Sequence, residues 1–217
     1  GRGTLMADAL RALAIVPDLL GRLEVHLVEP SPALAAVQRQ TLAAFPVAPT
    51  WHTGLGSVPP GRAVILANEV VDAFPIRQLV CRGGRWHERQ VGLAPDGRFA
   101  FTEAPEPLAA APAVAEGSLI ELRPDADALL GSIAARAAGH PTAGLLIDYG
   151  HLRTGHGDTL QAVHHNRAAD PLVGAGDSDL SAQVDFEALA LSARRHGLEV
   201  DGPVPQAVFL GGLGLVE

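Results

Sequence analysis

The stretch GRGTLMADALRALAIVPDLLGRLEVHLVEPSP, residues 1–32, decides how the rest of the chain is read. Two glycines around Arg2 lead into a segment where Leu5, Leu10 and Leu13 recur at helical spacing, and Pro17 stops it. EVHLVEP, residues 24–30, then reads as a short buried strand ending on an acid. Ser31 is a hydroxyl cap followed by proline at the first helical position, and Leu34, Val37, Thr41, Leu42 and Phe45 line one face of the helix that follows. Glycine loop, helix, strand, acid, helix is the rhythm of an α/β fold with a parallel sheet. The strand that should precede such a loop does not stand before Gly1.

Working outward, Thr50–His52 is a weaker strand, and AVILA at 63–67 is continuously apolar, as a strand covered on both faces should be. Residues 78–82 and 85–91 flank Gly83-Gly84, a two-residue hairpin connection, and a third strand follows Asp96-Gly97. Pro124 opens a helix with Leu129, Leu130, Ile133 and Ala137 inward and Gly139 as its stop. GLLIDYG, 144–150, supplies the next buried strand. Residues 152–184 show no clear periodicity and read as a long, loop-rich lobe of the functional kind. Asp185 caps a last helix ending at Gly197, and 198–209 read as one or two closing strands. The expected architecture is a Rossmann-like, mostly parallel sheet without its first strand. It forms one core over 1–217 with an inserted antiparallel hairpin region at 76–104. Because a sheet lacking its central strand leaves edges bare, the span is not expected to fold as an autonomous domain.

Composition excludes several functions. The formal charge of −8 argues against general affinity for nucleic acid, whose phosphates demand a basic face. No apolar run reaches the eighteen or more residues of a membrane span, and no signal peptide opens the chain, so a cytoplasmic protein is expected. The single cysteine, Cys81, cannot form an internal disulfide and reads as a small core residue. Every basic residue is arginine, which with abundant Ala, Gly and Pro points to a bacterial source of high GC content. His151, His156, His164 and His165 lie near Asp148 and Asp158, but their spacings match no metal-ligand pattern and no metal is expected.

The chemistry sits at strand ends. Gly1, Arg2, Gly3 and Thr4 can form a turn that brings backbone N–H groups to a ligand at a helix N-terminus. Glu29 follows Gly3 by about 26 residues at the end of the next strand, where an acid can accept both ribose hydroxyls of a nucleoside. NAD and S-adenosylmethionine both satisfy that logic. Asn68, Glu69 and Asp72, directly after AVILA, form a polar cluster at the carboxyl edge of a strand, where open α/β sheets place their ligands. Asn68 and Asp72 could equally cap a helical turn.

GRGTL, HLVEPSP, LANEVVDAFPIRQLV, LLIDYGH, GDTLQAV and DSDLSAQVDF occur in this order and together resemble the MidA family. That family includes the mitochondrial complex I assembly factor that methylates arginine. The resemblance covers nearly the whole chain. It implies a class I methyltransferase fold, S-adenosylmethionine as cofactor, and symmetric dimethylation of an arginine in a protein substrate, a complex I subunit. It also implies an N-terminal segment carrying the first strand and a C-terminal tail, and a mitochondrial matrix location were the source eukaryotic. By this likeness Gly1, Arg2, Gly3, Thr4, Glu29 and Pro30 bind the cofactor, with His52 and Asn68 as further contacts. Glu69, Asp72 and Asp148 become the catalytic candidates. The family has aromatics where Val70 and Val71 stand, and Thr and His where Ser181 and Gln183 stand.

A substrate guanidinium is protonated at physiological pH, and carboxylates can hold its planar fork while charge collects on the nitrogens that are not methylated. Glu69 and Asp72 would do this with Asp148 behind them, Tyr149 shaping the slot and Val70, Val71 and Phe74 excluding water. Two other readings compete. One is an NAD-dependent oxidoreductase, the other a non-catalytic assembly factor that binds a folding subunit through the 152–184 lobe.

Overall fold

Thr4–Leu13 form the first helix, α1, which turns Ala7 and Leu10 inward at 2% and 1% exposure, whereas Leu5 stays half exposed. The chain then enters strand β1 (His26–Val28), helix α2 (Pro32–Leu42) and strand β2 (Thr50–His52). Ser31 caps α2 as its position suggests, its Oγ accepting the Leu34 N–H at 3.3 Å ahead of Pro32. β1 and β2 are parallel, with Leu27 opposite Trp51. Ala7, Leu10, Val25 and Leu42 form the local core, and Met6, Leu20, Phe45 and Trp51 pack on it. Full burial of Leu10 and Leu42 stabilises by about 2 kcal/mol each. The inward stripe of α2 is Ala35, Gln38 and Leu42, not the face of Leu34, Val37, Thr41, Leu42 and Phe45 expected, and Gln38 is buried with both Nε2 donors used and its Oε1 accepting one bond.

The computed structural model describes residues 1–110 and 114–215, and the elements so far make up the first of two units, Gly1–Gly61. The second unit, Arg62–Glu217, begins with strand β3 (Ala63–Asn68). An antiparallel sheet follows: β4 (Arg77–Arg82), β5 (Arg85–Leu93), β6 (Phe99–Glu103), the short β7 (Ala109–Ala110) and β8 (Leu119–Leu122). Its order is β6-β5-β4-β8, with β7 also on β5, so the antiparallel layer runs well past the hairpin expected at 76–104. Gly83 and Gly84, at φ 55° and 72°, make the turn between β4 and β5. Cys81, at 1% exposure, packs with Leu79 and Trp86.

Helix α3 (Pro124–Ala137) leads to strand β9 (Thr142–Ile147), which pairs parallel with β3 along six residues, Asn68 standing opposite Ile147. β3 is not covered on both faces as AVILA suggested. Val64 is 77% and Leu66 46% exposed, whereas Ala63, Ile65 and Ala67 are half-buried. The parallel strands among the described residues form separate pairs instead of the continuous sheet expected. Then come β10 (Gly150–His151), β11 (Gln161–His164), β12 (Arg167–Ala169), β13 (Asp179–Ser181), β14 (Val184–Asp185), α4 (Phe186–Arg195) and α5 (Gln206–Gly212). The 152–184 segment thus holds an antiparallel sheet, β12-β11-β13, turned at His165 and Asn166. No strand is described at 198–209: Pro203 and Pro205 lack the N–H groups a ladder needs, and α5 starts instead. No described helix is long and apolar enough to cross a membrane.

Asp127 of α3 joins α4 by accepting from Ser192 Oγ, with Arg195 Nη2 at 3.4 Å and His196 Nε2 at 3.3 Å. The Ser192 bond, then His196 and Arg195, hold its carboxyl below the usual 3.8 against the opposing effect of burial. A depressed carboxyl adds stability above its unfolded value and loses it as pH falls through the folded value. Thermal melts on acidification from that value should therefore fall more steeply in wild type than in Asp127→Asn; equal slopes would remove this link from the acid response.

Candidate functional site

In the first unit, the chain meets α1 through Gly3, at φ 86°, a left-handed turn that a side chain would strain. No side chain caps α1 among the described residues, and its first internal bond is from the Ala7 N–H to the Gly3 carbonyl at 3.0 Å. The earlier N–H groups of the helix are therefore available to an anionic or carbonyl oxygen at its positive end. Side chains of α2 fasten the loop from behind. Gln38 Nε2 donates to the Gly1 carbonyl at 2.8 Å, and Thr41 Oγ1 donates to the Arg2 carbonyl at 2.9 Å.

Glu29 follows β1, its own N–H donating to the His52 carbonyl at 2.8 Å, and its side chain is 10% exposed. Oε1 accepts the Ser31 N–H and Oε2 accepts Gln38 Nε2, each at 3.0 Å. A carboxylate offers about four lone-pair positions, so one remains on each oxygen, which suits two neighbouring hydroxyls of a ribose. Pro30 carries the chain from this acid to the Ser31 cap. His52 ends β2 but uses both ring nitrogens on protein, Nε2 against His26 Nδ1 at 3.0 Å and Nδ1 against Ser57 Oγ at 3.2 Å. What it lends the loop is its backbone carbonyl.

In the second unit, Asn68 is exposed at the end of β3 and Glu69 follows at φ 49°. The Glu69 N–H donates to the Ile147 carbonyl at 2.8 Å, which continues the β3–β9 ladder into the turn. Glu69 itself is exposed. Asp148 fixes the turn from below: Oδ2 accepts the Val71 and Asp72 N–H groups at 3.0 and 3.2 Å, and Oδ1 accepts the Tyr149 N–H at 3.0 Å. Burial pushes its carboxyl up, and the neighbouring Asp72 charge adds to that, although the three N–H donors oppose it.

Asp72 is only 8% exposed, unlike Glu69. Its Oδ1 is buried with no hydrogen-bond partner, and its backbone carbonyl accepts the Ala182 N–H at 3.1 Å. The neighbouring Tyr149 hydroxyl donates to Ser181 Oγ at 2.6 Å; burial raises this phenol, and the nearby Asp72 adds to the rise. The apolar wall divides, with Val71 and Phe74 packing into the core around Val184 while Val70 faces outward at 36% exposure.

Sequence reasoning missed Arg123. Its guanidinium donates to the Ala182 carbonyl at 2.9 Å and the Gln183 carbonyl at 3.2 Å, and burial lowers its pKa against the pull of Glu121, Asp148, Asp72 and Tyr149. It remains a cation, the internal counter-charge of the acid cluster. Gln183 acts here through its backbone and Ser181 keeps the hydroxyl a threonine would supply, so both departures from the family pattern preserve these contacts. The histidines scatter: His156 stacks on Trp86, and His164 meets His165. Among the described residues no three metal-binding side chains converge. A cleft of about 730 Å³ lies within this unit, with Arg123, His151 and Gln183 on its wall but neither Asn68 nor Glu69.

A glycine loop at a helix start without a side-chain cap, joined through Gln38 to an acid with lone pairs to spare, is an arrangement suited to a nucleoside-binding α/β protein. The chain belongs to the family described as "Putative S-adenosyl-L-methionine-dependent methyltransferase", whose pattern matches residues 1–204. S-adenosylmethionine, not NAD, is the cofactor of that family. The chain is 31% identical to the mitochondrial protein arginine methyltransferase NDUFAF7 of Mus musculus over 99% of its length and 55% of the relative. It is 30% identical to the Homo sapiens protein of that name, over 99% and 54%. It thus spans a little over half the length of these relatives. A crystal structure of a Burkholderia thailandensis protein, 30% identical, superposes with a TM-score of 0.82 over 99% of this chain and 60% of that one. Another from the same organism, bound to S-adenosyl-homocysteine and 29% identical, gives 0.71 over 91% and 54%.

Proposed function

We propose that the protein transfers a methyl group from S-adenosylmethionine to an arginine of a protein substrate, one that belongs to respiratory complex I or its assembly. The observation that carries this reading is Glu69, an exposed carboxylate held on a fixed turn at the end of β3. Identity to arginine methyltransferases along nearly the whole chain supports the choice of acceptor.

The cofactor supplies a methyl group on a positively charged sulfur. Gly1, Arg2, Gly3 and Thr4 present backbone N–H groups to it, and Glu29 accepts its ribose hydroxyls, with Pro30 setting the exit of the chain and Asn68, at the end of β3, as a further proposed contact. Glu69 holds the substrate guanidinium by two of its nitrogens and leaves the third to form the new N–C bond as the S–C bond breaks. The proton that nitrogen carries passes to solvent or to a carboxylate at the rim, so methylated arginine, the demethylated cofactor and one proton leave. In this reading Asp148 acts through the backbone by fixing residues 71, 72 and 149, and Asp72, buried beside that turn, backs Glu69. Methyltransferase core and 152–184 lobe together make the substrate-binding region in this reading.

The test is mass spectrometry of arginine methylation in complex I subunits from cells with and without the intact gene. Loss of methylation at a defined arginine in the deletion, restored by wild type but not by Glu69→Gln, is the expected result. Unchanged arginine methylation across those subunits would overturn the assignment, and normal complex I assembly supported by Glu69→Gln would favour a non-catalytic assembly role.

A further inference from the structure

Gln38 is a polar side chain at 5% exposure within the inward stripe of α2. An apolar residue would fill that position without the cost of burying an amide. Both donors of its Nε2 are used, on the Gly1 carbonyl at 2.8 Å and on Glu29 Oε2 at 3.0 Å, while its Oε1 accepts the Trp51 indole N–H at 2.9 Å. The orientation is therefore fixed. Turning the amide over would set oxygen against a carbonyl and a carboxylate, and nitrogen against the indole N–H, three repulsive contacts in place of three bonds.

These bonds join three separate segments: the glycine loop, the acid after β1, and β2. Trp51 is itself held, with the Arg39 guanidinium 4.6 Å over its ring and the local core against it. Glu29 is gripped at both oxygens, by Ser31 N–H on one and Gln38 on the other, so its plane cannot swing. We infer that Gln38 is a positioning residue for cofactor binding. It aims the free lone pairs of Glu29 at the ribose hydroxyls and sets the glycine loop at the matching height. The inference rests on the reading of Glu29 as the ribose acid.

Because the effect runs through Glu29, it is specific to ribose hydroxyls, which a packing role is not. The experiment measures calorimetric affinity of the intact protein for S-adenosylhomocysteine and for its 2′,3′-dideoxy analogue, with melting temperatures, in wild type, Gln38→Met, Gln38→Glu and Glu29→Gln. Gln38→Met should weaken the natural ligand about tenfold or more and leave the dideoxy analogue within about twofold. Gln38→Glu places a second carboxylate against Glu29; it should bind poorly at neutral pH and regain affinity on mild acidification, when one shared proton restores a donor. Equal weakening of both ligands in Gln38→Met, or no weakening of either, overturns the inference. Should that variant fail to fold, absence of acid recovery in Gln38→Glu overturns it. If Glu29→Gln loses the preference for hydroxyls while Gln38→Met keeps it, Gln38 alone is excluded. If Glu29→Gln keeps that preference, the ribose reading itself falls, and this inference with it.

Discussion

Gly150→Ala is expected to lower the stability of the protein by at least about 3 kcal/mol, and with it the melting temperature by roughly 10 °C. Gly150 faces Val184 in the parallel β10–β14 pairing, and a Cβ built on it would lie 1.9 Å from the Val184 carbonyl oxygen and 2.6 Å from its nitrogen. Both are backbone atoms, so no rotamer can relieve the overlap and β14 must move. Val184 is 1% exposed and packs against Val71 and Ala126, while its N–H holds the Tyr149 carbonyl at 3.0 Å. Displacing β14 therefore disturbs both a core and the turn beside Asp148. Gly144→Ala is the control, since its new methyl would meet only Leu146 Cδ1, at an ordinary 3.7 Å. Denaturant melts of the two variants should differ sharply, and a Gly150→Ala protein as stable as Gly144→Ala would refute the close approach.

The second large effect concerns turnover. Glu69→Gln keeps the shape of an exposed side chain but removes the charge proposed to orient arginine, so kcat/KM for a substrate peptide should fall roughly tenfold to hundredfold. Affinity for S-adenosylhomocysteine should stay within about twofold, because the lost contact belongs to the acceptor. Asp72→Asn should behave differently, with any loss of activity tracking a loss of melting temperature, as befits a residue at 8% exposure. Full activity in Glu69→Gln would remove it from the acceptor site.

What the sequence disclosed follows the range of the interactions involved. Ser31 and Asp185 were readable as helix caps because a cap bonds within its own turn, and both side chains accept the N–H three residues on. Glu29 was readable from its place after an apolar strand. Gln38 was not, since it sits in a polar run, QRQ, and its partners Gly1, Glu29 and Trp51 come from other segments. Arg123 was invisible for a similar reason: it bonds the backbone carbonyls of Ala182 and Gln183, about sixty residues away, and a carbonyl carries no residue signature. The β11–β12 hairpin escaped notice because His165 and Asn166, and no glycine, take the left-handed turn positions. Glu69 and Asp72 looked alike as acids three residues apart, and only the turn pinned by Asp148 separates the exposed one from the buried one.

The left-handed backbone at Glu69, φ 49°, has an outcome for anyone evolving this protein toward heat resistance. A residue with a Cβ in that region carries local strain of order 1 kcal/mol or more, which glycine would relieve. A screen that rewards survival alone would thus be drawn to glycine at position 69 and would collect hardier proteins stripped of the carboxylate proposed to hold the acceptor. Selection for turnover would pull the same position back. With Glu69 in its proposed role, endurance and catalysis make opposite demands on that single residue, so a thermostabilised line should be assayed for methyl transfer before the substitution is kept.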